Sequence, residues 1–136
     1  MSLRRRSSMS TTTREIVKAE FRVKRVYAQP TDDDGRRILV DRLWPRGLTK
    51  EEARVDLWLK DIAPSNELRM WFGHDPKRWD EFKRKYIEEL KTLTIPLSLL
   101  RREASREAAI TLLYGARDEE HNEAVVLLGF LRQRFQ

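Results

Sequence analysis

Two short stretches hold the residue types that bind or transform polar ligands. The first, Asp41-Arg42-Leu43-Trp44-Pro45-Arg46-Gly47, places one carboxylate, two guanidiniums and an indole within seven residues. The second, Gly115-Ala116-Arg117-Asp118-Glu119-Glu120-His121-Asn122, adds a third guanidinium, further carboxylates and an imidazole after a glycine. Arg42, Arg46 and Arg117 offer rigid donor forks that match a phosphate or a carboxylate. Asp41 and His121 are the candidate catalytic acid/base groups, His121 because an unperturbed imidazole titrates near neutrality. Trp44 can flank a planar ligand, Gly115 keeps its loop open, and Asp118 and Asn122 complete the candidate ligand-binding set. A structural reading stands beside this one. Asp41 and Asp118 can simply pair with the arginines, His121 can bond to Asp118, and Asp118-Glu119-Glu120 can be helix-start residues favoured by the dipole, which would repel an anion.

Elements must bring the two stretches together. Ile38-Leu39-Val40 and Ala109-Ile110-Thr111-Leu112-Leu113-Tyr114 are apolar runs of the kind found in strands covered on both faces, and each gives way to Asp and Arg. A first strand is expected over Phe21–Tyr27, a turn over Thr31–Gly35, and a short half-buried strand over Val55–Leu59. Helices are expected after the capping box Thr49-Lys50-Glu51-Glu52, between Ser65 and Gly73, from Asp75-Pro76 through Leu90, from near Pro96, and from about Glu119 to Arg134. Strands separated by helices favour an α/β fold: a single small domain with a mostly parallel sheet of about three to four strands flanked by helices. Ligands of such sheets sit beyond the carboxyl ends of the strands, so adjacent parallel strands would place both charged stretches on one rim.

Composition bounds the chemistry. The 136 residues suffice for one core, expected over residues 21–136 behind a basic, largely disordered tail at 1–20. That tail has five basic and two acidic side chains, half of the net charge of +6. The chain has no cysteine, which removes disulfides and thiolate chemistry and fits a reducing, cytoplasmic setting. No stretch is long and apolar enough for a membrane span, so a soluble protein is expected. With only His74 and His121, a three-histidine metal site is impossible; the two with Asp118 or Glu119 would be the remaining metal set, and none is assigned. His74 is placed to staple against Trp79 across a helix start. The cofactor is unknown from the sequence and the oligomeric state is open.

A small anionic ligand is the expected partner. The alternative is a nucleic-acid or protein interaction module using the tail and Lys77, Lys83, Arg84 and Lys85 on helix 76–91. Asp80, Glu81, Glu88 and Glu89 dilute that helix's field, so nucleic-acid binding is expected to be weak and electrostatic.

The combination of LVDRLWPRG, WLKDIAPS, WFGHDP and YGARDEEHN resembles the YeaO-like branch of the conserved proteins grouped as domain of unknown function 488, over about residues 22–131. The resemblance implies a small cytoplasmic α/β protein and names no reaction. Other branches of the group can have a cysteine in the last strand-to-helix loop. Here that loop reads Tyr114-Gly115-Ala116-Arg117, and sulfur chemistry does not carry over.

Overall fold

Four strands form one all-parallel sheet in the computed structural model, which describes residues 16–135. They are β1 (Glu20–Arg25), β2 (Arg36–Leu39), β3 (Leu57–Trp58) and β4 (Ala109–Tyr114), in the order β1-β4-β2-β3. The helices are α1 (Lys50–Ala53), α2 (Asn66–Phe72), α3 (Trp79–Leu90), α4 (Thr94–Arg106) and α5 (Glu123–Phe135). Of the tail expected to be largely disordered, 1–20, residues 1–15 lie outside the described residues. From Val17 onward the chain is tied in: its N–H donates to the Phe135 carbonyl at 3.1 Å, and that of Ala19 to the Ala104 carbonyl at 3.0 Å. No helix among the described residues is long and apolar enough to cross a membrane.

Alternation along the strands assigns the two sheet faces. Phe21, Ile38, Ile110, Leu112 and Tyr114 enter the main core with Leu68, Phe72, Phe82, Tyr86, Leu100 and Leu127 from the long helices. Leu39 and Leu113 point the other way, into a smaller cluster with Val26, Ala53, Trp44 and Trp58. While the long helices pack on the other face, this one is covered by segment 41–58, which includes the single turn of α1. It also takes charge. Arg37, only 4% exposed, donates to the carboxylate of Asp34 and to the carbonyls of Ala53 and Arg54, and Lys24 pairs with Asp34 at 3.0 Å. Burial alone would raise the Asp34 carboxyl, but hydrogen bonds from Thr31, Lys24 and Arg37 hold it well below the usual carboxylate range. Asp34, the centre of this network, lies just ahead of β2, at the end of that strand opposite the Asp41 loop.

Local chemistry explains most boundaries. Thr49 and Glu52 form the expected reciprocal cap of α1. Ser65 caps α2, and Gly73, with φ of +51°, ends it in the left-handed region. Asp75 caps a 3₁₀ turn, Pro76–Arg78, that runs into α3. Two boundaries differ from expectation. Helix α4 begins at Thr94, two residues before Pro96, since proline fits the first turn where its missing N–H is not needed. Helix α5 begins at Glu123, about four residues later than expected. Asp118 folds the preceding stretch into a turn by accepting from the N–H groups of Glu120 and His121, and Asn122 then caps the helix by accepting from the Val125 N–H at 3.1 Å.

Candidate functional site

The registers Arg25↔Tyr114 and Leu39↔Leu113 bring the carboxyl ends of β1, β4 and β2 to one edge of the sheet. Beyond that edge the chain must satisfy several strand-end backbone groups, and it does so with charged and aromatic side chains. The Asp41 carboxylate accepts from the Gly115 N–H at 2.8 Å, joining the loops after β2 and β4. A methyl group on Gly115 would stand 3.1 Å from that carboxylate, so glycine permits the close approach. Arg25, at the end of β1, donates to the carbonyls of Ala116 and Gly115. Tyr27 donates to the Arg46 carbonyl at 2.7 Å, and the Trp58 indole to the Asp41 carbonyl at 2.8 Å.

These loops, with α2, α3 and the start of α5, enclose a cavity of about 430 Å³. Asp41, Gly115 and Glu123 stand in its lining with Arg42, Arg46, Arg69 and His74. Tyr27, Trp44, Phe72 and Phe82 supply its aromatic surface. The volume lies within the range of small-molecule sites, and apolar walls with a few convergent polar groups are their usual construction.

The predicted residues divide on this cavity. Asp41, Arg42, Trp44, Arg46 and Gly115 line it; Arg117, Asp118, His121 and Asn122 do not. Arg117 is exposed on the surface. The His121 ring bonds the Asp118 carboxylate at 2.9 Å and meets Trp79 edge-on, with centroids 5.1 Å apart. Hydrogen bonds from the Glu120 N–H and from the His121 ring lower the Asp118 carboxyl from its ordinary value. Asn122 is 1% exposed, donates to the Asp118 carbonyl, and serves as the α5 cap. The second loop therefore builds its own turn with the side chains of Asp118, His121 and Asn122.

Arg42 and Trp44 also have structural work. The Arg42 guanidinium donates to the carbonyls of Ala63 and Pro64 through Nε and Nη2, while Nη1 makes no hydrogen bond among the described residues. Trp44 donates to the Leu48 carbonyl at 2.7 Å and packs edge-on against Trp58. His74 neighbours Phe72 at 6.1 Å, and the Trp79 ring with which it was expected to pack contacts His121 instead. Phe72 and Trp79, 6.0 Å apart, thus stand between the two histidines. Among the described residues no group of three His, Asp or Glu side chains is placed to hold a metal ion.

Glu123 is the residue that sequence reasoning missed. It lines the cavity beside Asp41, and its Oε2 is buried without a hydrogen-bond partner among the described residues. Burial, and after it Asp41 as hydrogen-bond acceptor and neighbouring charge, push the Glu123 carboxyl well above its ordinary 4.5. Both observations have one resolution. As a carboxylate, Glu123 leaves a buried oxygen with no donor; with a proton, it donates to Asp41 and the pair shares one charge. A signal was present in the sequence. Glu123 stands four and eight residues ahead of Leu127 and Leu131, at the head of the helix's apolar stripe, where an acidic residue needs a reason. Arg69, Phe72 and Phe82 were read only as helix residues, because their approach to the β2 loop is set by tertiary packing.

Comparison with known proteins adds a family. No solved structure matches the chain. Uncharacterized protein Rv3073c of Mycobacterium tuberculosis is 44% identical over 119 residues, covering 88% of this chain and 99% of that relative. Uncharacterized protein YeaO of Escherichia coli is 40% identical over 109 residues, covering 80% of this chain and 94% of its own length. Residues 20–136, the whole of the sheet and its helices, match the family described as the inactive DUF488-N3 subclade. The chain belongs to that YeaO-like subclade of the DUF488 proteins.

Proposed function

We propose that this protein binds a small anionic ligand in the cavity beyond the carboxyl ends of the strands, and that binding, ahead of turnover, is its activity. The observation that carries the reading is the cavity itself: about 430 Å³, with arginines of two separate segments on an aromatic wall. Arg46 and Arg69 are exposed and make few side-chain contacts, so their guanidiniums are available to a ligand, and Arg42 retains a free Nη1. Tyr27, Trp44, Phe72 and Phe82 would receive the apolar body of the molecule. The subclade's description as inactive agrees with binding over catalysis, while Asp41 beside Glu123 would be the acid/base pair if a proton were moved. The absence of cysteine suits a reducing cytoplasm.

The interaction-module alternative has weaker support. Arg84 and Lys85 face Glu81, while Lys83 and Lys85 lie over the rings of Trp79 and Trp71. These cations are distributed among local partners and do not form a bare basic stripe. A metabolite screen by ligand-observed magnetic resonance tests the main reading, with 4-ethylbenzoate as a defined anionic probe. Arg46→Ala and Arg69→Ala should each weaken that probe about tenfold, the worth of one charge-assisted contact, while Arg84→Ala leaves it unchanged. Equal binding by all four proteins would reject the reading. Arg42→Ala is a poorer test, because it also releases the carbonyls of Ala63 and Pro64.

A further inference from the structure

The cavity contains a second kind of recognition element, opposite in sign to the arginines. Asp41 and Glu123 come from the loop after β2 and the first turn of α5, and both line the aromatic-walled space. Their oxygens are unequally occupied: Asp41 Oδ2 already accepts from Gly115, whereas Glu123 Oε2 is buried with no donor. Neither Arg42 nor any other cation makes an ion pair with them among the described residues. Arg42 instead spends its Nε and Nη2 on the carbonyls of Ala63 and Pro64. Two neighbouring carboxyl groups that share one negative charge, with no protein cation against them, can take up an incoming donor in place of the Glu123 proton. An incoming N–H donor carrying positive charge satisfies the pair, and aromatic faces around it favour the same kind of group.

From this geometry we infer that the ligand is zwitterionic, an organic amine whose protonated nitrogen sits on the Asp41–Glu123 pair while its acidic group reaches the Arg46–Arg69 side. The inference rests on the anion-binding reading for the acidic end only; the amine end stands on the carboxyl pair. A purely anionic ligand would leave the single negative charge of the Asp41–Glu123 pair unanswered. A purely cationic one would leave the exposed guanidiniums of Arg46 and Arg69 unused. An aromatic or other flat body between the two ends fits the walls supplied by Tyr27, Trp44, Phe72 and Phe82. The residue that selects for the amine is Glu123, since on giving up its proton it presents an oxygen to which no protein group donates.

Three probes that differ by one charged group separate the two ends: 4-(2-aminoethyl)benzoate, 2-phenylethylamine and 4-ethylbenzoate. Dissociation constants are measured by titration under magnetic resonance with the full chain, and thermal melting confirms that each variant is folded. The zwitterion should bind about tenfold or more tightly than either single-ended probe, because it adds one charge-assisted contact to the shared ring. Glu123→Gln should weaken both amines about tenfold and leave 4-ethylbenzoate unchanged. Arg46→Ala should weaken the two carboxylates and leave 2-phenylethylamine unchanged. If the variant Glu123→Gln is folded and binds all three probes as the wild type does, the inference is overturned. Binding of 4-ethylbenzoate without any gain from the amine overturns it as well and leaves the anion reading standing. Binding of 2-phenylethylamine in a Glu123-dependent way, with no contribution from the carboxylate, supports the amine site and overturns the anion reading instead.

Discussion

Replacing Glu123 by Gln keeps the side chain's shape and leaves a neutral donor where the protonated carboxyl stands, so the variant isolates the ionisation of one group. In the wild type the native state holds a proton that the unfolded chain releases above an ordinary value near 4.5. The native state therefore binds more protons than the unfolded state between that value and its own raised pKa, and stability falls as pH rises through the window. One proton of difference amounts to about 1.4 kcal/mol per pH unit. The Gln variant has no such slope. Its stability relative to the wild type should thus climb with pH above the unfolded pKa, at that slope, for as long as Glu123 retains its proton. The groups around Glu123 are Asp41 and Arg42 after β2, Tyr86 on α3 and Tyr114 on β4, with Arg69 and His74 also in the cavity lining. Burial holds both tyrosines above 10, so they stay neutral throughout, and the remaining groups are common to the two proteins. Urea denaturation of both proteins from about pH 4 to about pH 8 reads the difference directly. Two stability curves that run parallel across that range would refute a protonated Glu123, and with it the one-charge description of the pair.

Other predictions concern the supports of the site and the opposite end of the sheet. Asp34→Ala leaves Arg37 buried without its carboxylate and should cost about 3 to 5 kcal/mol in a denaturant titration, with the probe-binding cavity unaffected in the folded fraction. Because the folded pKa of Asp34 is depressed, its contribution is complete above the ordinary carboxylate range and is lost as pH falls through the folded value, opposite in sign to Glu123. Gly115→Ala sets a methyl group 3.1 Å from the Asp41 carboxylate, and should weaken 2-phenylethylamine about tenfold by displacing that carboxylate while the melting temperature changes little. A variant that binds the amine normally would show that Asp41 tolerates the added carbon without moving.

The fold was legible where one local rule dominated. The apolar run 109–114 matches the observed strand, and the capping box at Thr49 and the glycine stop at Gly73 act as their residue types require. The single-sided helical layer was less legible. The expected strand run began at Ile38, yet Arg37 is buried within the strand because Asp34, Ala53 and Arg54 supply its partners. Such compensation depends on residues 3 to 17 positions away and has no periodic signature. The delayed start of α5 has a related cause. An acidic stretch that looks like a first helical turn was instead consumed by Asp118, whose side chain accepts from the backbone of Glu120 and His121 before any helical ladder can form.

The site divides along the same physical line. Strand direction was inferable from two apolar runs joined through helices, so the meeting of the Asp41 and Gly115 loops followed from topology. Which side chains of the second loop turn inward did not follow, because that depends on where the loop ends. Five residues of turn place His121 against Trp79 and carry the chain on to Asn122, so the first side chain of α5 to face the cavity is Glu123. Had the helix begun at Glu119, His121 would have occupied its first turn, as its pattern suggested. The chemical character of the cavity hangs on this displacement. An imidazole beside Arg42 and Arg46 would make a cationic pocket suited to an anion alone, whereas a carboxyl group paired with Asp41 makes a bipolar one. Exchanging one residue for another two positions later thus changes the class of ligand that can leave no charge unanswered.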